Sequence, residues 1–295
     1  EIRPEILSYL FAGLFFLILS HYPRRWYLLP IIGIIWVNTH IYFLLGLLII
    51  GAFLLESLLV KREEFFKLFK VFIATLLAMF INPFGIKAFT AAISIFNNYG
   101  YRLAENQSVL FMEKLMSDPV FVIFKIVFTT LVISFVWAFW KEPRAIRLSN
   151  FFIACGLSIM AWFAIRNLAL FGLFSIPLIC ANIVIILPNL RENKILMCWS
   201  IFLSCVAFIF SIIFTLPKYF PYWHSFGLGL EERNDVSTKF FIEQNIKGPV
   251  FNNYDIGGYL IFYLYPRERV FVDNRPEAYP VSFFQDVYIP MQEND

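Results

Sequence analysis

Apolar residues dominate positions 5–20, 26–60, 65–81, 119–140, 149–165, 167–187 and 195–216, with polar breaks between them. Runs of that length suit helices immersed in hydrocarbon. The stretch 26–60 is too long for one span, since about 35 residues in a single helix would reach ~52 Å against a hydrocarbon core of ~30 Å. A small polar island, Trp36-Val37-Asn38-Thr39-His40, interrupts it. We therefore read a helical hairpin with arms at 26–38 and 41–59 and the island at its tip. The first arm is short and carries Pro30, so it needs a locally thin bilayer or shielding neighbours. A second hairpin repeats the pattern: Arg166-Asn167 breaks the apolar run between Asn150 and Pro188.

Polar punctuation fills in the rest. Asn82-Pro83-Phe84-Gly85 closes the fourth span with good chemistry for a helix N-cap and first turn. Lys87, Thr90, Ser94 and Asn97 then recur at three- and four-residue spacing, which predicts a helix lying on the membrane interface. A polar stretch follows from 97 to 118. After Pro217 the chain changes character and predicts a water-exposed α/β piece. It has a helix capped by Asp235 and running to about 245, a turn at Lys247-Gly248-Pro249, and strands at 250–251 and 270–272. Residues 258–265 fit either a helix or an amphipathic strand. Both strands end in polar clusters, Asn252-Asn253-Tyr254-Asp255 and Asp273-Asn274-Arg275, and the carboxyl ends of strands are where open α/β sheets bind ligands.

Charge orients this pattern. With alternating spans, one set of loops collects Arg24, Arg25, Lys61, Arg62, Lys67, Lys70, Lys141, Arg144, Arg147, Arg191 and Lys194, which the positive-inside rule makes cytoplasmic. A single span at 26–60 would divide that set, so the hairpin gains independent support. Arg3, Asn38, His40, the 82–118 segment, Arg166 and everything after about 217 then converge on the extracytoplasmic side. The expected architecture is mainly α: a polytopic transmembrane bundle of about eight spans over 1–216, with a small extracytoplasmic α/β piece over 217–295.

Composition agrees, with 60% hydrophobic and only 15% charged residues, too few for a water-solvated surface. A net charge of +3, scattered over loops, gives no reason to expect nucleic acid as a partner; membrane lipids are the expected surroundings. Cys155, Cys180, Cys198 and Cys205 sit within apolar runs without metal-binding spacing, as small apolar packing residues. The start at Glu1, with no signal-peptide flanks, and the end at Asp295 lead us to expect truncation at both ends.

Several motifs resemble a known group of enzymes. They are Arg3-Pro4-Glu5 with Ser8-Tyr9-Leu10, Trp36-x-Asn38-x-His40, Asn82-Pro83-Phe84-Gly85, Glu105-Asn106-Gln107, Arg166-Asn167, Phe251-Asn252-x-Tyr254-x-x-Gly257-Gly258-Tyr259-Leu260 and Val270-Phe271-Val272-Asp273-Asn274-Arg275-x-Glu277-x-Tyr279. Together they resemble bacterial GT-C glycosyltransferases related to the protein O-mannosyltransferases and lipid A sugar transferases. The resemblance implies an enzyme of the bacterial cytoplasmic membrane. It would transfer a sugar from a polyprenyl-phosphate carrier to an extracytoplasmic glycan, lipid or protein, in some members with a divalent metal ion. The family's catalytic carboxylate lies in a loop expected upstream of Glu1, so no catalytic residue is assigned here.

Each candidate has a plain alternative. Arg166 and Arg3 could hold the donor phosphate, or snorkel to headgroups. Asn38, His40, Asn82, Glu105 and Asn167 could line the cleft. His40 could instead satisfy carbonyls at the hairpin apex, and Glu105 could simply be solvated. Asp255, Asp273 and Arg275 could bind the acceptor, or be ordinary turn residues. Three histidines, with His21 expected on the other side, do not build a metal cluster, and no metal ligand is assigned. A transporter or envelope scaffold is the rival class, favoured if polar hairpin tips line a path rather than one face.

Overall fold

The computed structural model describes residues 4–94, 99–188, 209 and 235–293. Arg3, Asn97 and, apart from residue 209, the span expected at 195–216 lie outside the described residues. The chain divides into two compact units, residues 1–97 with 102–192, and residues 98–101 with 193–295.

The first unit is helical. Its main helices are α1 (Glu5–His21), α2 (Leu28–Val37), α3 (Leu44–Leu59), α4 (Arg62–Ala78), α5 (Ile86–Ser94), α6 (Val109–Leu115), α7 (Pro119–Lys141), α8 (Leu148–Phe163) and α9 (Leu168–Ile186). Three helical stretches, Ile41–Leu59, Pro119–Lys141 and Ile165–Ile186, are long and apolar enough to cross a membrane, and α1, α2 and α8 are shorter apolar helices. This is the profile of a membrane protein. The hairpin expected at 26–59 is present as α2 and α3, and the one expected around Arg166 as α8 and α9.

Local chemistry sets the boundaries. Asp118 accepts from the Val120 N–H at 2.9 Å and Pro119 takes the first turn, where a missing N–H costs nothing. Ser108 caps α6 in the same way through the Phe111 N–H. Asn82 does not cap α5 directly. Its Oδ1 accepts from Phe84 N at 2.8 Å and its Nδ2 donates to Met79 O, while Gly85 turns the chain at φ +52°, so α5 begins only at Ile86.

Packing links the helices in sequence and across it. α3 lies against α1, α4 and α8, α2 against α4, and α7 and α8 against α9. Gly46 makes the close approach to α1 and α2 possible, because a Cβ there would sit 2.9 Å from Phe15 Cε1 and 3.1 Å from Trp36 Cζ3. Polar ties lock other pairs: Asn182 on α9 donates to Ser134 on α7 at 3.0 Å, and Lys141 donates to the Ile186 carbonyl. Glu56, buried in α3, accepts from the Ser149 N–H at 2.9 Å, supplying an N-terminal cap to α8 from a neighbouring helix. Arg147 faces the same carboxylate at 3.7 Å. Cys155 and Cys180 are exposed on the unit's surface rather than packed inside it.

The second unit has helices α10 (Val236–Glu243), α11 (Gly257–Leu264) and α12 (Ile289–Glu293), the last preceded by a π-helical turn at Phe283–Tyr288. Among the described residues no strand forms. The stretches expected as strands meet only in one isolated parallel bridge, Val250 to Val270. The reason lies in Asn252, whose buried side chain accepts from Phe271 N at 2.9 Å and donates to Val272 O at 2.7 Å. It occupies the backbone groups that a β-ladder would use. Of residues 258–265, all but Tyr265 lie in helix α11. Gly257 is required there, since a Cβ would collide with the Val272 carbonyl and the Asp273 backbone. Asp235 opens α10 with its backbone carbonyl and an ion pair to Lys239 at 2.7 Å, not with a side-chain cap.

Candidate functional site

The ends of α1, the α2–α3 hairpin and the α8–α9 hairpin meet in one polar cluster within the first unit. Alternation of short helices puts these three chain segments at one end of the bundle, as the loop pattern predicts. α1 presents Glu5 and Ser8, three residues apart and so on one face. Where α2 stops, Asn38 donates to Ile34 O at 2.8 Å and to Ile81 O at 2.9 Å, joining the hairpin tip to the end of α4. Thr39 donates to Trp36 O. His40 is then extended, and its ring caps the 3-10 turn Ile41–Phe43 that leads into α3.

The order of donors at His40 is fixed by chemistry. The Trp36 indole N–H, which can only donate, gives a hydrogen bond to Ser8 Oγ at 2.8 Å. Ser8 Oγ lies 2.8 Å from His40 Nδ1. The hydroxyl could accept a second bond, but its own proton has no other acceptor among the described residues, so the buried Ser8 O–H is directed to Nδ1. The Tyr42 backbone N–H approaches the same nitrogen at 3.5 Å. Nδ1 is therefore the unprotonated nitrogen. Burial, with the Arg166 charge adding to it, holds the imidazole down at about 4.

Arg166 is the hub of the cluster. It sits on the 3-10 turn Ile165–Asn167, which is tied to the 104–107 turn by Ile165 N donating to Gln107 O at 3.0 Å. Its side chain is only 13% exposed. Nε donates to Tyr42 Oη at 2.6 Å, Nη1 to Asn106 Oδ1 at 3.0 Å and Nη2 to Glu5 Oε1 at 3.3 Å. Glu105 lies 3.7 Å from Nη1. The guanidinium also stands 5.2 Å from the centre of the Tyr42 ring, in cation–π range. Tyr42 donates onward to Asn167 Oδ1 at 3.3 Å, and Asn167 donates to Met160 O.

Of the residues expected to line a cleft, His40, Glu105 and Asn167 join this network. Asn38 braces the tip through backbone carbonyls, and the Asn82 side chain is spent on its own turn. Arg3 lies outside the described residues. Tyr42 and Glu5 are central yet carry no assignment from sequence. Glu5 appears there only within the Arg3-Pro4-Glu5 motif, although its spacing to Ser8 is visible, and Tyr42 hides among apolar residues. The pair Lys125–Glu113, at 2.6 Å, is likewise unmarked in the sequence and ties α6 to α7.

In the second unit, Asp273 is 4% exposed and gripped by Arg275 through Nε at 3.1 Å and Nη2 at 2.5 Å. The Arg275 hydrogen bonds hold its carboxyl below the usual carboxylate range, outweighing burial. The Asp273 N–H donates to Tyr279 Oη at 3.1 Å. Asp255 is exposed, its N–H bound to Asn253 Oδ1. Asp273 and Arg275 therefore form one closed turn, leaving the outer edge of the 65% exposed guanidinium as its accessible polar surface.

A divalent ion does not fit the described residues. Glu5 and Glu105 are both directed at Arg166, and among the described residues no group of three or more His, Cys, Asp and Glu side chains is placed to hold a metal. No protein-family model, curated protein or solved structure matches this chain.

Proposed function

We propose that the chain is the membrane core of a transferase that holds a polyprenyl-phosphate-linked sugar and passes the sugar to an extracytoplasmic acceptor. On this reading it forms about eight spans of a bacterial cytoplasmic membrane, with the Arg166 cluster and the second unit on the extracytoplasmic side. The family resemblance of the motifs motivates the chemistry. The observation that carries it is an arginine, 13% exposed, on the turn that leads directly into one of the two helices lining an apolar groove.

The groove has a volume of about 430 Å³ and runs between α1 and α9, lined by Tyr9, Gly13, Phe16, Leu173, Phe174 and Pro177 among others. Tyr9 lies one helical turn beyond Glu5, and α9 follows directly on Arg166. Headgroup chemistry and a hydrocarbon-lined channel are thus stacked along the same two helices. A lipid phosphate fits that order, charge at the end of the bundle and chain along its side.

The charge balance sets a condition on binding. Arg166 already faces two carboxylates, so a phosphate must take over one of those contacts. The contact to Glu5 at 3.3 Å is long for a charge-assisted hydrogen bond, whereas that to Tyr42 at 2.6 Å is short. Exchange at Nη2 keeps the Tyr42 and Asn106 bonds and leaves Glu5 free to accept from a sugar hydroxyl. In the transfer itself the acceptor oxygen attacks the anomeric carbon and the bond to phosphate oxygen breaks. The polyprenyl phosphate leaves with the electron pair, and the acceptor proton passes to a base that no residue of this chain is assigned to be.

The test supplies labelled polyprenyl-phosphate sugars to membranes carrying the full-length protein. Arg166→Ala should lower transfer by roughly 10-fold to 100-fold, the worth of a lost charge-assisted bond to phosphate. Undiminished transfer by that variant would sink the phosphate role.

A further inference from the structure

We infer that His40 is a ligand-binding residue held as the neutral Nε2–H tautomer, and that it presents this N–H as a second donor, beside Arg166, to an oxygen of the lipid phosphate. The inference rests on the reading of the Arg166 cluster as a phosphate site, but its geometry is separate from that of Arg166.

The lock is built from three groups. Trp36, fully buried, can only donate, and it donates to Ser8. Ser8 is also fully buried, and His40 Nδ1 is the one acceptor that its proton meets among the described residues. The Tyr42 N–H points at the same lone pair. A proton on Nδ1 would face the Tyr42 N–H and leave the buried Ser8 hydroxyl proton without an acceptor. The ring's proton therefore resides on Nε2, which has no hydrogen-bond partner among the described residues. Because the ring is only partly buried, that N–H can meet a ligand.

Its surroundings say which ligand. The ring sits edge-on to Tyr42, 4.8 Å between centroids, and Tyr42 carries the Arg166 guanidinium on its other contacts. Neutrality is useful here. A second cation beside Arg166 would repel it, whereas a fixed neutral N–H adds a hydrogen bond without that cost. With the Nδ1 lone pair occupied and Nε2 protonated, His40 has no free base to offer. This makes it a binding residue and not a proton acceptor, with Ser8 and Trp36 as its positioning residues.

Two measurements test this on the full-length protein in nanodiscs. First, ¹⁵N spectra of a variant in which His40 is the sole histidine should show protonated Nε2 and unprotonated Nδ1 at pH 7. An Nδ1–H tautomer or an imidazolium would overturn the inference. Second, polyprenyl monophosphate and the corresponding polyprenol are titrated against wild type and His40→Asn, which keeps an oxygen for Ser8 but reaches no donor to the Nε2 position. The preference for phosphate over alcohol should fall about tenfold or more in the variant. An unchanged preference, or equal weakening of both ligands, overturns the role of His40 and leaves the Arg166 site standing. If wild type binds the phosphate no better than Arg166→Ala does, the phosphate reading fails and this inference with it.

Discussion

At the scale of single residues, the cluster is defined by who donates to whom. His40 shows this most clearly, because its ordinary charge switch near neutral pH is displaced by its neighbours. An imidazole held at about 4 in the folded protein, against about 6.5 when unfolded, binds fewer protons folded than unfolded between those values. Its contribution to stability is therefore complete above pH 6.5 and is lost as pH falls toward 4. The charge acting on it is Arg166, which opposes protonation and itself faces Glu5 and Glu105. We predict that the gap in melting temperature between wild type and His40→Asn is constant from pH 8 to 6.5 and narrows steadily toward pH 4. A gap that widens on acidification would show that the ring gains a proton partner in the fold. Sequence makes His40 and Arg166 visible as polar residues inside apolar runs. It does not show Tyr42 as the bridge between them, since one tyrosine among many aromatics carries no mark of the hydroxyl's partner.

Helices place these side chains, and there small residues matter more than polar ones. At Gly46 on α3 the rings of Phe15 of α1 and Trp36 of α2 lie 2.9 and 3.1 Å from the place a Cβ would take, and Trp36 in turn donates to Ser8, which bonds His40. A methyl group at Gly46 must push two fully buried aromatic rings, for which overpacking typically costs about 1–3 kcal/mol. Gly51, on the same helix, has nothing within 4 Å of the place a methyl group would take, so alanine there relieves a glycine without a clash. Gly46→Ala should lower the melting temperature and weaken phosphate binding, while Gly51→Ala should do neither. Equal behaviour of the two variants would remove Gly46 from the chain of support.

The same scale explains which elements can be read in advance. Hairpin 28–59 is legible because helix length, hydrocarbon thickness and loop charge all constrain it. The strands expected at 250–251 and 270–272 do not form, because β-branched and aromatic composition says nothing about Asn252. That side chain takes the Phe271 and Val272 amides for itself and leaves only the Val250 to Val270 bridge. Asn252→Ala removes a buried side chain and strands those groups, so a loss of about 2–3 kcal/mol in the second unit is expected, read by its unfolding in denaturant.

At the scale of the whole molecule, the decisive question is which side of the membrane the Arg166 cluster faces. Two ends of the first unit differ in chemistry. One carries Arg24, Arg25, Lys61, Arg62, Lys141, Arg144 and Arg147 in its connecting turns and the adjoining helix ends, and the other carries His40, Asn82 and Arg166. By the positive-inside rule, which counts basic residues near span ends, the first set is expected on the cytoplasmic side. A polyprenyl-phosphate donor presented outside the cell membrane needs the second set on the opposite side. In a background without native cysteines, Thr39→Cys should react with a membrane-impermeant maleimide in spheroplasts, and Arg25→Cys only after the membrane is opened. The reversed pattern would put the arginine cluster in the cytoplasm. Nucleotide-linked donors would then be the accessible sugars, and the lipid-phosphate reading would have to give way even with Arg166 and His40 unchanged in geometry.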